Sequence, residues 1–234
     1  MKSLYLLVDF FTVLIPILFS FHPKIKFYKQ WKPFFISNLI VASLFILWDS
    51  YFTKIGVWGF SPAYISGIYF INLPVEEILF FVCIPYACVF TYFAMNLFYN
   101  LHWENKTERI IVLIFSGILM FSGIYFYSRL YTSWSFISLS VLLFVFKFFL
   151  KVNWLGKLMT IFILLLIPFF IVNGILTGTG LESPVVWYNN NHNLTIRILT
   201  IPVEDIFYGF ELVLLNVGIY EFIKIKFSPA ETSL

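Results

Sequence analysis

With 234 residues, 61% hydrophobic, 22% aromatic and 12% charged, and a mean hydropathy of +0.91, the chain has the make-up of an integral membrane protein. A net charge of +3 from 15 scattered Lys and Arg residues builds no basic patch, which excludes nucleic acid from the expected partners. Cys83 and Cys88 lie five apart in one apolar run, project in different directions and read as small core residues rather than a disulfide.

Apolar runs of about 20 residues, enough for a helix to cross about 30 Å of hydrocarbon, predict seven spans. In chain order they are Leu4–Phe21, Phe34–Phe52, Pro74–Phe98, Ile110–Tyr127, Trp134–Leu150, Leu158–Leu176 and Pro202–Phe222. The expected fold class is therefore all-α, a polytopic membrane protein with seven transmembrane helices. Asp9 interrupts the first run and a basic stretch follows it directly, so that span is expected to be retained rather than cleaved. With seven spans, one set of ends holds Lys24, Lys26, Lys29, Lys32, Lys106, Arg109, Lys147, Lys151, Lys157, Lys224 and Lys226. The opposite ends hold Lys2, Lys54, Arg129 and Arg197. The positive-inside rule then puts the N-terminus outside and the C-terminus in the cytoplasm, in a plasma or inner cell membrane.

The chain repeats itself. The stretch "KFYKQWKPFF" (Lys26–Phe35) leads into span two as "KFFLKVNWLGKL" (Lys147–Leu158) leads into span six. Asp49 follows Trp31 by 18 residues, Asn173 follows Trp154 by 19, and Gly56 and Gly180 each come seven residues later. The expected organisation is a first three-helix unit over 1–105, a connecting span over 106–130 and a second unit over 131–234. A three-helix unit ends on the far side of the membrane, so two such units in one orientation need the extra crossing.

Each unit carries a pair of acids: "LPVEEILFF" (Leu73–Phe81) holds Glu76 and Glu77, and "IPVEDIFYGF" (Ile201–Phe210), 128 positions later, holds Glu204 and Asp205. Proline and a carboxylate in the first helical turn are favourable helix-start chemistry, with Asn72 and Thr200 as candidate N-caps. That accounts for one acid more easily than two, because neighbouring positions project about 100° apart. An ionisable group in a span costs roughly 2.5 to 3.5 kcal/mol near the bilayer centre, which marks it as functional. An ionised acid beside a neutral one is an acid/base arrangement. Asp49 and Asn173 sit at a similar level, and Glu211 shares the helical face of Glu204, with Cys83 at the corresponding place in the first unit. Arg197 either pairs with the acid set or is a loop charge. The connection from Thr177 to Thr200, with its Asn-rich "YNNNHNLT", reads as a surface loop, a cap over the site being the alternative.

His22, His102 and His192 have no ligand spacing, so no metal is expected. The fragment "GTGLES" lacks the final glycine of a dinucleotide fingerprint, so no flavin or nicotinamide cofactor is expected. The basic residues on the acid side are too few for phosphoryl or diphosphate chemistry. What remains is proton chemistry on an apolar substrate, with 31 Phe, 14 Tyr and 7 Trp available to present π faces to a carbocation.

The two Pro-x-Glu-Glu/Asp motifs, the segment "WDSYFTKIGVWGF" (Trp48–Phe60), the first-loop "FYKQWKPF" and the duplicated layout resemble the flavin-independent integral-membrane lycopene cyclases, in their fused bacterial form. They are similar as well to the cyclase domain of the fungal bifunctional enzymes. The resemblance implies redox-neutral cyclisation of the linear ψ end groups of lycopene to β rings, with lycopene and the lipid bilayer as partners. Association with a second copy or with other carotenoid enzymes stays open. It implies proton transfer by Glu76 and Glu204, with Glu77, Asp205 and Asp49 tuning them or accepting the proton. Asn173, standing where the first unit has Asp49, departs from symmetry. The competing readings are a carotenoid cyclase with another substrate or ring product, a membrane prenyltransferase, and a non-enzymatic carotenoid carrier.

Overall fold

A computed structural model describes residues 2–227 of the chain, without the side chains of 225–227. Met1, the Lys226 side chain and residues 228–234 of the expected second unit therefore lie outside the described residues. Seven helices account for the apolar runs: α1 (Leu4–Ser20), α2 (Trp31–Lys54), α3 (Val75–Phe98), α4 (Asn105–Tyr125), α5 (Leu130–Phe144), α6 (Leu155–Leu176) and α7 (Glu204–Phe227). A 3₁₀ turn (Phe27–Gln30) precedes α2, and a π turn (Val145–Phe149) continues α5. Six of these are long and apolar enough to cross a membrane; α1, at 17 residues, stands at the lower end of the spanning range. The fifth span begins earlier than its hydropathy predicts, at Leu130, because the polar run Thr132, Ser133 and Ser135 in its first turns faces inward and is buried.

Lipid-facing surface is predominantly apolar, as Phe11, Ile15, Leu39, Phe121 and Ile163 illustrate. Inside, helix α1 packs on α3 and α5 on α7, while α2 lies against both α3 and α7. The junction of those three is tied by the Asn38 amide, which donates to the Phe81 carbonyl at 2.9 Å and to Asn216 Oδ1 at 3.2 Å. Helix α4 packs along α5, where Lys147, read from the sequence as a topology anchor, is buried against Glu108 at 2.8 Å and donates to Asn105 at 3.0 Å.

Six short strands shape the loops at the acid-bearing end: β1 (Trp58–Phe60), β2 (Tyr69–Phe70), β3 (Leu73–Pro74), β4 (Val186–Tyr188), β5 (Arg197–Ile198) and β6 (Ile201–Pro202). Strands β2 and β3 form a two-residue hairpin ahead of α3, and β5 and β6 form its counterpart ahead of α7. The backbone obeys the repeat closely. Left-handed residues recur in pairs at Lys26 and Lys151 (φ 51° each), Gly56 and Gly180 (75° and 77°), Gly67 and Thr195 (84° and 62°), and Ile71 and Leu199 (59° and 58°). Strands β1 and β4 pair antiparallel, with Trp58 opposite Tyr188, Gly59 opposite Trp187 and Phe60 opposite Val186. Applying the 128-residue offset to one strand gives the other, so the pairing is self-complementary and a pseudo-two-fold axis passes through the Gly59–Trp187 pair.

The sequence-based N-cap expectation is corrected. Neither Asn72 nor Thr200 caps a helix; Pro74 occupies the cap position of α3, and no side-chain cap is made there. The Asn72 amide donates to the Ser50 carbonyl at 2.8 Å and accepts from the Ser50 hydroxyl at 2.5 Å, whereas the Thr200 hydroxyl meets those of Thr177 and Thr179 at 2.7 and 2.6 Å. These side chains fasten each hairpin turn to the end of the preceding helix.

A methyl group on Gly59 would lie 2.4 Å from the Trp187 ring. Gly59→Ala is expected to destabilise the fold by roughly 1 to 3 kcal/mol, an overpacking effect, read as a lower melting temperature in detergent. A melting temperature equal to wild type would contradict this close approach.

Candidate active site

Pro74 arrives in an extended conformation and α3 starts one residue later, so Glu76 and Glu77 occupy its first turn; Glu204 and Asp205 do the same in α7. The two acids of each pair have different tasks. Glu76 is 0% exposed and its Oε1 accepts the Ser66 backbone N–H at 2.6 Å. Glu204, equally buried, accepts the Leu194 N–H at 2.7 Å and the Thr132 hydroxyl at 2.5 Å. In both copies the donor N–H lies ten residues upstream, so each carboxylate holds the returning loop on its own helix. The Oε2 atoms of both are buried without a hydrogen-bond partner among the described residues.

The neighbouring acids turn toward a cavity of about 780 Å³ walled by α1, α3, α6 and α7. Glu77, Asp205, Asp49 and Asn173 line it; Glu76, Glu204 and Glu211 do not. Glu77 Oε2 accepts the Tyr5 phenol at 2.6 Å, and its carboxyl group adjoins that of Asp49 closely enough for the two to interact directly. Two adjoining buried carboxyls repel when both are ionised, which favours a proton held between them. Asp49 Oδ1 accepts the Tyr208 phenol at 2.6 Å. Asp205 accepts Tyr131 at 2.7 Å on one oxygen and Tyr188 at 3.0 Å on the other. Burial and the facing Asp205 carboxylate hold the Tyr188 phenol well above its ordinary pKa, so it stays a donor.

Asn173 departs from its counterpart as the sequence indicates: its amide donates to Phe169 in its own helix at 3.2 Å and carries no carboxyl into the cavity. Glu211 accepts Ser138 at 2.7 Å away from the cavity. Arg197 donates to the Thr200 carbonyl at 2.7 Å and to Asn190 at 3.0 Å, and lies over the Tyr188 ring at 5.9 Å. The loop between α6 and α7 covers the site rather than standing clear of it, since β4 supplies Tyr188 and the buried Val186.

Sequence reading did not find the tyrosines. Tyr5 and Tyr131 each stand second in their helices, after Leu4 and Leu130, and that repeated Leu-Tyr pair was the available signal. Around the acids the rings form a box. Trp58 lies 5.0 Å from Tyr131, 6.1 Å from Tyr208 and 6.2 Å from Tyr188, the first two edge to face. Asp9 was seen only as an interruption; it is buried beside this region, and its two oxygens have no hydrogen-bond partner among the described residues.

These features define a polytopic membrane protein whose polar site faces an apolar cavity inside its own helix bundle. The family model described as lycopene cyclase matches residues 2–95 and 128–223, most of the chain, in two segments that flank α4. The chain belongs to the lycopene cyclase family, and by class it is a carotenoid cyclase. Neither a search of curated proteins nor one of solved structures returned a match.

Tyr208→Phe and Asp49→Asn are each expected to lower thermal stability in detergent by about 1 to 3 kcal/mol, the cost of a buried polar group losing its partner. Combined, they should lose less than the sum, by roughly 0.5 kcal/mol or more. Strict additivity would show that this hydroxyl and carboxyl do not interact.

Proposed function

We propose that the protein is a lycopene β-cyclase, working by acid/base catalysis without a redox cofactor. The observation that carries this is the presence of two separate carboxyl centres, Glu77 with Asp49 and Asp205 with its two phenols, on one apolar cavity edged by aromatic rings. A linear ψ end group in that cavity takes a proton at C2, and the C1=C2 π electrons form the new C–H bond. The C5=C6 double bond attacks the C1 cation, making the C1–C6 bond and moving the charge to C5. Loss of the C6 proton returns its electron pair as C5=C6 and leaves a β ring. No electrons are gained or lost, and the mass is unchanged.

A proton held between the adjoining carboxyls of Glu77 and Asp49 suits this pair as donor, and Asp205, between two phenol donors, suits the base. Glu76 and Glu204, to which the sequence reading gave proton transfer, are in this proposal positioning residues: each accepts a loop backbone N–H, Glu204 the Thr132 hydroxyl as well, and both are off the cavity wall. Each ring face near the migrating charge is worth about 0.5 to 2 kcal/mol. With the cyclase reading go two structural ones. The repeat units are 1–105 and 131–234, joined by 106–130, and the N-terminus lies outside with the C-terminus in the cytoplasm. The bias of Lys and Arg supports that orientation.

In lycopene-accumulating bacteria the intact chain is expected to give β-ring pigment, identified by unchanged mass and altered retention. Glu77→Gln and Asp205→Asn should each reduce it by roughly 100-fold or more. Glu76→Gln keeps an acceptor oxygen for Ser66 and should lose less. Turnover in D₂O should add one deuterium per ring formed. Pigment that stays linear with the intact chain, or rings without deuterium, would defeat this reading; a ring of different double-bond position would move it to another carotenoid cyclase.

A further inference from the structure

The cavity is open on one side. On α1, Leu7, Phe11 and Ile15 follow at four-residue spacing, and on α6 stand Pro168 and Ile171; all five line the cavity and are exposed on the outer surface of the bundle. In a spanning bundle that surface meets acyl chains, so the cavity continues into lipid between α1 and α6. The hydroxyls along this route are already satisfied. Thr12 donates to the Val8 carbonyl and Thr91 to the Ala87 carbonyl, both at 2.8 Å. A passage without free donors suits a hydrocarbon and rejects a headgroup.

The repeat makes a second crevice of the same kind between α2 and α5. Tyr5 and Tyr131 serve corresponding acids, so Val8 corresponds to Trp134; Asp49 and Asn173 correspond, so Val172 corresponds to Trp48. Val8 and Val172 line the cavity. At the corresponding place the Trp134 ring sits 6.2 Å from Trp48, 5.6 Å from Phe52 and 6.3 Å from Tyr51, filling the space between the helices with aromatic rings. The same two positions hold valines in one crevice and tryptophans in the other.

We propose that the α1–α6 crevice is a lateral portal through which a linear isoprenoid polyene passes one end from the bilayer to Glu77, with Val8 and Val172 setting its width and Trp134 and Trp48 sealing its counterpart. This rests on the cyclase reading for the identity of the occupant. With one portal, the two ends of a symmetric substrate reach the acids in turn, and the substrate withdraws between them.

The test uses the full chain in lipid vesicles loaded with lycopene. Ring formation should fall through the series Val8→Leu, Val8→Phe and Val8→Phe/Val172→Phe, by at least about ten-fold in the last. Ile163→Phe, lipid-facing on α6 and off the cavity wall, should turn over as wild type. A second readout needs no chemistry: quenching of protein fluorescence by the polyene on mixing with lycopene vesicles should be slowed in the double variant. Wild-type turnover and quenching in a double variant that keeps its melting temperature would overturn the portal. So would a turnover loss shared by Ile163→Phe. If the wild type forms no ring, yet its quenching is slowed by the double substitution, the cyclase reading falls and the portal stands. Should the double variant fail to fold, the single Val8 series decides: a graded loss supports the portal and a flat one removes it.

Discussion

Carboxyl groups buried at the end of a membrane helix need partners, and here the partners are phenols, hydroxyls and backbone N–H groups. An acid in a span costs roughly 2.5 to 3.5 kcal/mol near the bilayer centre, and one hydrogen bond to a charged group returns about 1.5 to 3 kcal/mol. Most of these acids accordingly have two partners: Asp205 has Tyr131 and Tyr188, Glu204 has Thr132 and the Leu194 N–H, and Glu77 has Tyr5 and Asp49. Supplying a backbone N–H to Glu76 and Glu204 requires the chain to come back over the helix start. That is the work of the two hairpins, and it explains why Ile71 and Leu199 accept left-handed turn positions that usually go to glycine. The loops, the tyrosines at the starts of α1 and α5 and the buried acids form one mutually dependent arrangement.

Much of this was legible in the sequence, for physical reasons. Hydrocarbon thickness fixes helix length, so apolar runs gave the helices, and an acid in such a run is rare enough that its repetition marked the site. The tilt of the choice between Glu76 and Glu77 was not legible. Their separation of about 100° follows from helix geometry, but which of them faces inward depends on how α3 is rotated. A helix that is apolar all round gives no amphipathic face from which to read that rotation. Tyr5 and Tyr131 were hidden by their surroundings, one among leucines and the other ahead of a polar run that pushed the predicted start of α5 to Trp134. Loop Thr177–Thr200 read as surface because its composition is polar, yet Val185, Val186 and Asn193 are buried in it. Pairing of β4 with β1, more than a hundred residues away, draws it over the site, and no local pattern reports such a partner.

Two copies of one unit could have made two equal sites; substitutions at corresponding positions make one unequal site instead. Asp49 has Asn173 as its counterpart, Tyr188 has Phe60, and Tyr208 has Phe80. Tyr208 belongs to the second copy but donates to Asp49 of the first, so the donor set crosses the pseudo-axis. One centre therefore joins two carboxyls with Tyr5 and Tyr208, while the other has a single carboxyl between two phenols. The acids beyond the cavity have also changed helix. In the first copy the acid is Asp9 on α1, with Cys83 on α3; in the second it is Glu211 on α7, with Ser135 and Ser138 on α5. Proton transfer from one group to another needs a donor and an acceptor that differ in proton affinity. Strict two-fold symmetry would make them equal. Breaking that symmetry at a few side chains, while the backbone keeps it down to paired left-handed residues, gives a duplicated bundle the two unlike carboxyl centres that directional acid/base chemistry requires.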